Sequence, residues 1–131
     1  MLKTKCIFAS ISEDDGVRVS VMSGLTLEDG ITPHPDADKM QYDYWLKALA
    51  PTRTLLGDYY KRGLSWDVYE ERYNQFLSLP DKSYEIDELS KLALTNTVTI
   101  LCLEESPEKC HRRLIAERCK QNYPELEIEI L

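Results

Sequence analysis

Four stretches of the chain show the hydrophobic pattern of β-strands. Residues 6–11 and 97–103 are short apolar runs, and residues 16–22 alternate apolar and polar positions with a period of two, which predicts strands. Residues 125–131 alternate acidic and apolar side chains, as expected of a strand with one exposed face. The predicted strands therefore lie at both ends of the chain, and the region between them should supply helices.

Apolar residues spaced three and four positions apart predict helices in the middle of the chain. Residues 41–50 show this spacing. Ser65 is a suitable N-cap for a second helix that extends to Leu79 and is closed by Pro80. Ser83 is then expected to open a third helix.

The last helix is predicted to follow the strand at residues 97–103. Ser106 suits its N-cap and Pro107 its first helical position, which would place Cys110 in the opening turn. A strand, a helix and a strand in succession form the βαβ unit of parallel sheets. We therefore predict an α/β fold, with one domain over residues 1–131 and a small, mostly parallel sheet flanked by helices.

The fold class predicts where a ligand would bind. In parallel α/β sheets, ligands bind at the carboxyl ends of the strands, and Glu104 and Glu105 should emerge there beside the start of the last helix. Residues 23–39 lack hydrophobic periodicity and read as one long loop. Loops of that length are often functional.

Composition narrows the classes of function. The chain has 131 residues, 43% hydrophobic and 30% charged, as in folded domains. Its net charge of -7 argues against nucleic acid as a partner, because phosphate backbones are bound by basic faces. The chain has no apolar run of membrane-spanning length, no signal-peptide pattern and no C-x-x-C pair among its four cysteines. We therefore predict a cytoplasmic protein with reduced thiols and no membrane association.

Reactive and cationic side chains concentrate at the start of the last helix. Helix amides and neighbouring cations would stabilise a thiolate at Cys110, with His111 as a candidate base. Arg112 and Arg113 could hold a phosphate or carboxylate through their guanidinium groups, and Glu104 could orient an arginine or act as a base. The pattern predicts a site for a small anionic ligand, phosphate- or nucleotide-like. It identifies no cofactor and leaves open whether the protein is an enzyme.

A structural interpretation explains the same residues. Cys110 lies one helical turn from Leu114 and could share a core face with it. Glu104, His111 and Arg112 would then form a buried network that holds the helix to the sheet in a non-catalytic binding or regulatory module. The two interpretations differ in geometry: the polar atoms either converge on an open pocket, or are buried and satisfy one another.

Other classes of site fit the sequence less well. Cys102, Glu104, Cys110 and His111 offer donors for a metal ion, but the eight-residue separation of the two cysteines matches no common zinc motif, so no metal site is predicted. The chain has neither a phosphate-binding glycine motif nor a G-x-S-x-G elbow. A Cys-x5-Arg phosphatase loop would need an arginine where Ala116 stands.

Three segments together resemble one protein family, the domain of unknown function 488 (DUF488). They are residues 42–51 (YDYWLKALAP), 66–73 (WDVYEERY) and 101–112 (LCLEESPEKCHR), the last being the most specific. The resemblance covers nearly the whole chain and implies an α/β fold without an established reaction. Members of the family often have an arginine in the loop after the second strand, where this chain has Gly24. The predicted site consists of the catalytic candidates Cys110, His111 and Glu104 and the ligand-binding candidates Arg112, Arg113, Glu105 and Ser23.

Overall fold

The computed structural model describes residues 1–27 and 31–131, which contain the strands Leu2–Cys6 (β1), Val17–Ser20 (β2), Tyr44–Trp45 (β3), Val98–Cys102 (β4) and Ile128–Ile130 (β5). These described strands form one parallel sheet in the order β3-β2-β4-β1-β5. The α-helices of the described residues are Arg53–Lys61 (α1), Trp66–Leu77 (α2), Pro80–Thr95 (α3) and His111–Asn122 (α4). The predicted α/β fold with a parallel sheet is confirmed.

Local signals in the sequence locate several of these elements. Three of the predicted strand runs correspond to β2, β4 and β5, each within narrower bounds. The predicted strand at residues 6–11 is misplaced: β1 covers Leu2–Cys6 and shares only Cys6 with it, because the alternating residues before the apolar run pair with β4. Ser65 caps α2 as predicted, since its side chain accepts a hydrogen bond from the Val68 amide. The predicted loop at residues 23–39 contains only an isolated bridge and one 3-10 turn in its described part. Residues 28–30 of that prediction lie outside the described residues.

The predicted helix at residues 41–50 is wrong. Tyr44 and Trp45 form a short strand that pairs with Val19 and Ser20, and a 3-10 turn follows it. The edge of β2 has unpaired backbone groups that need partners, and this segment supplies them. Apolar spacing over ten residues did not distinguish a helix from an edge strand followed by a turn.

The predicted boundary between the second and third helices is also wrong. Pro80 does not close α2; it occupies the first turn of α3, which therefore begins before Ser83. Proline suits this position because its missing N–H would have no partner within the helix, and its fixed φ is already helical. Ser83 instead donates its hydroxyl to the Leu77 carbonyl, which helps to join the two helices.

The two faces of the sheet differ in polarity, because side chains alternate along each strand. Leu2 and Val98 are register partners on an apolar face. Helix α4 packs on the sheet through contacts with β1, β4 and β5. Arg18 and Thr99 are register partners on the opposite face, which also carries Lys5. A parallel sheet normally has both faces covered, so this polar face requires a polar cover.

An ion cluster covers part of the polar face. Asp15 is only 4% exposed, and its carboxylate lies 2.9 Å from Lys5 Nζ and 2.6 Å from Arg18 Nη1. The Asp15 carbonyl accepts a hydrogen bond from the Thr99 hydroxyl at 2.6 Å. Burial acts to raise the pKa of Asp15, but hydrogen bonds from Lys5, the Ser12 amide and Arg18 lower it overall.

No helix among the described residues is both long enough and apolar enough to cross a bilayer.

Replacing Asp15 tests the contribution of this cluster. Asp15→Asn should lower the free energy of unfolding at neutral pH by about 3 kcal/mol, because it leaves the buried Arg18 and the half-buried Lys5 without their carboxylate. Since folding lowers the pKa of Asp15, its stabilisation is present above the ordinary value of 3.8 and is lost as pH falls through the folded value. Urea unfolding from neutral pH down to about pH 3 should therefore show the two proteins converging.

The matched control is Asp14→Asn, which changes an exposed carboxylate in the same turn. It should alter stability by no more than about 0.5 kcal/mol. Equal stability of Asp15→Asn and wild type at neutral pH would contradict the assignment.

Candidate functional site

A cleft of about 600 Å³ opens at the carboxyl ends of β2 and β4, the edge at which parallel α/β sheets bind ligands. Its walls come from the loop after β2, from α1 and the start of α2, from the segment after β4, and from the start of α4. The predicted site residues that line it are Cys110, His111, Glu104 and Ser23. Those placed elsewhere are Arg112, Arg113 and Glu105.

The start of α4 differs from the prediction. Helix α4 begins at His111, and Cys110 is its N-cap, with an extended backbone at φ −138° and ψ 140°. Ser106 and Pro107 lie in a turn before the helix, where the Ser106 hydroxyl accepts a hydrogen bond from the Glu108 amide. The predicted helix start at Ser106 is therefore wrong. The carbonyls of Pro107 and Glu108, which a helix starting at Ser106 would use for its own amides, accept hydrogen bonds from Arg113 instead.

His111 links the ends of β2 and β4. Its Nε2 lies 2.7 Å from the Val21 carbonyl oxygen, and its Nδ1 lies 3.5 Å from Cys102 Sγ. Because a carbonyl oxygen can only accept, Nε2 carries a proton, and in the neutral ring Nδ1 accepts from the Cys102 thiol. The Val21 contact therefore fixes the ring so that its other nitrogen faces sulfur.

The extended backbone of Cys110 brings its thiol into the same cluster. The ligand atoms of Cys102, Cys110 and His111 all lie within 4.8 Å of one another. Burial acts to raise the pKa of Cys110, but hydrogen bonds with Cys102 and His111 and the positive charge of Arg112 lower it overall. The hydrogen bond with Cys110, together with burial, raises the pKa of Cys102. The pair therefore favours a single thiolate, at Cys110.

Glu104 faces the cleft from the segment after β4. Its carboxylate accepts a hydrogen bond from the Tyr60 hydroxyl at 2.5 Å. Burial and the Glu104 carboxylate raise the pKa of Tyr60, so the phenol stays protonated and remains a donor. Among the described residues, no cation pairs with Glu104. Its second carboxylate oxygen is therefore available to a ligand.

Arg112 is fully buried beneath the cleft, with 0% exposure. Its Nη1 donates to the Glu104 carbonyl at 2.6 Å and to Cys110 Sγ at 3.3 Å. Its Nη2 donates to the carbonyls of Glu105 and Leu131, each at 3.2 Å. These contacts match the structural interpretation of Arg112, although they use backbone carbonyls and a sulfur and not the Glu104 carboxylate. The guanidinium therefore holds the protein together and presents no open face to an anion.

The other predicted ligand-binding residues divide between the surface and the cleft. Arg113 forms ion pairs with Glu117 at 2.8 Å and Glu70 at 3.7 Å, so internal partners already occupy its guanidinium. Glu105 is exposed outside the cleft, and Ser23 is exposed within it.

Aromatic rings form one wall of the cleft, a feature that the sequence suggested without locating it. Tyr59, Tyr60, Trp66 and Tyr69 line the space. Trp66 and Tyr69 stack with their ring centroids 4.9 Å apart and their planes at 20°. Tyr59 packs against both rings, with centroid distances of 5.8 and 5.1 Å. The wall offers polarisable surface to a flat ring.

Basic side chains surround this aromatic wall, although the chain is acidic overall. The described residues that line the cleft include four cations and one carboxylate, namely Arg53, Lys61, Arg62, Lys109 and Glu104. Arg62 is paired with Asp58 at 2.5 Å. Within the described part of the chain, the side chains of Arg53, Lys61 and Lys109 have no hydrogen-bond or ion-pair partner. The sequence does not single out these residues, because only the fold brings α1 beside the turn before α4.

The comparisons with known proteins identify a family and nothing finer. A family model described as "Active DUF488-N3 subclade" matches residues 2–123. No curated protein matches the chain, and no solved structure matches it.

The structural role of Arg112 leads to a prediction about stability. Arg112→Ala should lower the free energy of unfolding by about 3 kcal/mol or more, because buried carbonyl groups would lose their donors. Arg72→Ala is the control, since Arg72 forms an exposed ion pair with Asp58; such pairs contribute less than about 1 kcal/mol. Denaturant unfolding of both variants measures the difference. A wild-type unfolding curve for Arg112→Ala would be incompatible with a structural Arg112.

Proposed function

The chain belongs to the DUF488 family, and from its cleft we propose that it binds a small phosphorylated ring compound, of which a nucleoside monophosphate is the simplest example. The observation that carries the proposal is the excess of cations over carboxylates among the described lining residues, in a chain whose net charge is -7. If the charges of this acidic chain were distributed at random, carboxylates would outnumber cations in the cleft. The local field therefore favours an anion.

The size and walls of the cleft support a ring-bearing anion over free phosphate. Its volume of about 600 Å³ lies within the range of small-molecule sites, roughly 300–1,000 Å³. Tyr59, Tyr60 and Trp66 keep part of their rings exposed to the cleft, and any nucleobase can stack on such a ring. Free phosphate would leave this wall unused.

The positions of the charges suggest how the ligand is oriented. Arg53 and Lys109 are exposed at the mouth of the cleft, whereas Cys110 and His111 are buried at its floor. We expect the phosphate at the mouth, where unpaired cations meet it, and the ring deeper inside. Any chemistry would then occur where the ring or its sugar meets Cys110, His111 and Glu104. Arg112 and Arg113 are not required as phosphate ligands, since internal partners occupy them.

Removal of Arg53 tests this orientation. Arg53→Ala should weaken the binding of nucleoside monophosphates about tenfold, or about 1.4 kcal/mol, because it deletes an unpaired cation at the mouth. The affinity for the corresponding nucleosides, which lack the phosphate, should not change. Isothermal titration calorimetry with the four common ribonucleoside monophosphates, their nucleosides and inorganic phosphate measures both effects.

Arg72→Ala is again the matched control, because it removes the same charge from an arginine outside the cleft. It should leave monophosphate binding unchanged. Failure of wild type to bind any monophosphate, or equal losses in the two arginine variants, would refute the proposal.

Gly24 provides a test in the opposite direction. It lines the cleft, and nothing described lies within 4 Å of the position that a Cβ would occupy. Gly24→Arg should therefore fit and should raise monophosphate affinity several-fold by adding a cation. Gly24→Ala tests the backbone change alone and should bind as wild type does. A lower affinity for Gly24→Arg than for Gly24→Ala would place the phosphate away from this loop.

A further inference from the structure

Two sulfurs and an imidazole nitrogen converge at the floor of the cleft. The ligand atoms of Cys102, Cys110 and His111 lie within 4.8 Å of one another, and Cys102 Sγ is 3.5 Å from His111 Nδ1. In a tetrahedral zinc site, Zn–S bonds of ~2.3 Å and Zn–N bonds of ~2.0 Å set sulfur and nitrogen about 3.6 Å apart. The observed Cys102–His111 separation therefore matches that of two ligands of one zinc ion, and Cys110 Sγ lies within 4.8 Å of both.

We propose that Cys102, Cys110 and His111 bind one zinc ion, whose fourth coordination position opens into the cleft. The donor types select this metal, because thiolate and imidazole favour zinc over magnesium, calcium and manganese, which prefer oxygen. The two thiolates would also neutralise the charge of the ion. Without a cation, two buried thiolates would repel each other, and a bound Zn²⁺ would remove that repulsion.

The second shell of the site is already in place. A metal-bound histidine usually donates its other ring N–H to a carboxylate or a backbone carbonyl, and His111 Nε2 donates to the Val21 carbonyl at 2.7 Å. Arg112 Nη1 donates to Cys110 Sγ at 3.3 Å, which stabilises the thiolate form. These partners leave His111 Nδ1 and the two sulfurs facing one another. A metal would replace the weak S–H···N contact between Cys102 and His111.

The number of ligands indicates the type of zinc site. Structural zinc ions have four protein ligands, whereas catalytic ones have three and keep the fourth position for water or substrate. The described residues supply three such ligands, and each of them lines the cleft. Glu104 lines the same cleft but does not belong to the cluster. Its carboxylate would lie beside a metal-bound water, where an acid–base group is needed. A set of two cysteines, one histidine and a nearby glutamate also serves zinc enzymes that act on nucleobases.

Zinc uptake can be measured without any organic ligand, so this test is independent of monophosphate binding. The purified protein is stripped with a chelator and titrated with Zn²⁺ alone, in competition with a chromophoric chelator and with elemental analysis of the product. We expect one zinc per chain. Cobalt in place of zinc should give a thiolate-to-cobalt charge-transfer band and the visible spectrum of a tetrahedral site. Zinc should also protect Cys102 and Cys110 from alkylation.

Cysteine variants provide the residue-level test. Cys102→Ala and Cys110→Ala should each weaken zinc binding by more than the ~10–100-fold that loss of a second-shell partner costs. Cys119→Ala is the matched control, because Cys119 is equally buried but its thiol faces the Ile86 carbonyl on α3. Cys119→Ala should bind zinc as wild type does.

Several results would overturn the proposal. They are a wild-type protein that takes up no zinc, a cobalt spectrum of an octahedral site, alkylation of Cys102 and Cys110 unaffected by zinc, or full zinc binding after loss of either cysteine. Should the two cysteine variants fail to fold, the cobalt spectrum and the alkylation pattern of wild type still decide. Zinc uptake without monophosphate binding would retain the metal site and remove only the proposed ligand.

Discussion

The buried guanidinium of Arg112 sets the geometry on which the candidate site depends. Its two terminal nitrogens reach the carbonyls of Glu104, Glu105 and Leu131 and the sulfur of Cys110. A charge in this environment is stable only when its hydrogen bonds are provided, so the chain around it must present carbonyls. The segment between β4 and α4 supplies two of them, and Leu131, after β5, supplies the third. Arg112 thereby fixes this segment against the end of β5 beneath the cleft.

The late start of α4 has consequences for the chemistry of the cleft. Successive helical residues point about 100° apart, so Cys110 and His111 would diverge if the helix had begun at Ser106. As an extended N-cap, Cys110 instead turns back toward His111 and Cys102. His111 in turn reaches the Val21 carbonyl at the end of β2. One short segment thereby connects two strand ends and the helix start, and the reactive atoms meet where the sheet opens.

The sequence predicted the helices and strands whose positions depend on interactions between neighbouring residues. Alternation and short apolar runs located β2, β4 and β5 but placed β1 one strand length too late, and the side chain of Ser65 located the start of α2. This reasoning failed for residues 41–50, because their structure depends on pairing with the open edge of β2. The start of α4 was not predicted either. Ser106 and Pro107 are good capping residues locally, but the Pro107 and Glu108 carbonyls accept hydrogen bonds from the Arg113 side chain, a contact that capping preferences do not describe. The eight-residue separation of Cys102 and Cys110 likewise did not reveal that their sulfurs lie within 4.8 Å of each other in the fold. Zinc motifs with short spacings lie on one turn, whereas here the two residues come from a strand end and a helix start.

The charge of the chain as a whole differs from the charge of the described residues that line the cleft. A net charge of -7 argues against a broad nucleic-acid-binding face, yet it says nothing about a cleft. Helix α1 brings Arg53 and Lys61 to one side, and the turn before α4 brings Lys109 to the other. The surplus of acid elsewhere would make this grouping more selective for the proposed ligand, since the rest of the surface repels anions. The floor has the opposite character, because the Cys110 thiolate and the Glu104 carboxylate repel a phosphate and suit a cation. A ligand with a negative end and a neutral ring satisfies both regions only with its phosphate outward, and a metal ion at the floor would meet the ring and not the phosphate.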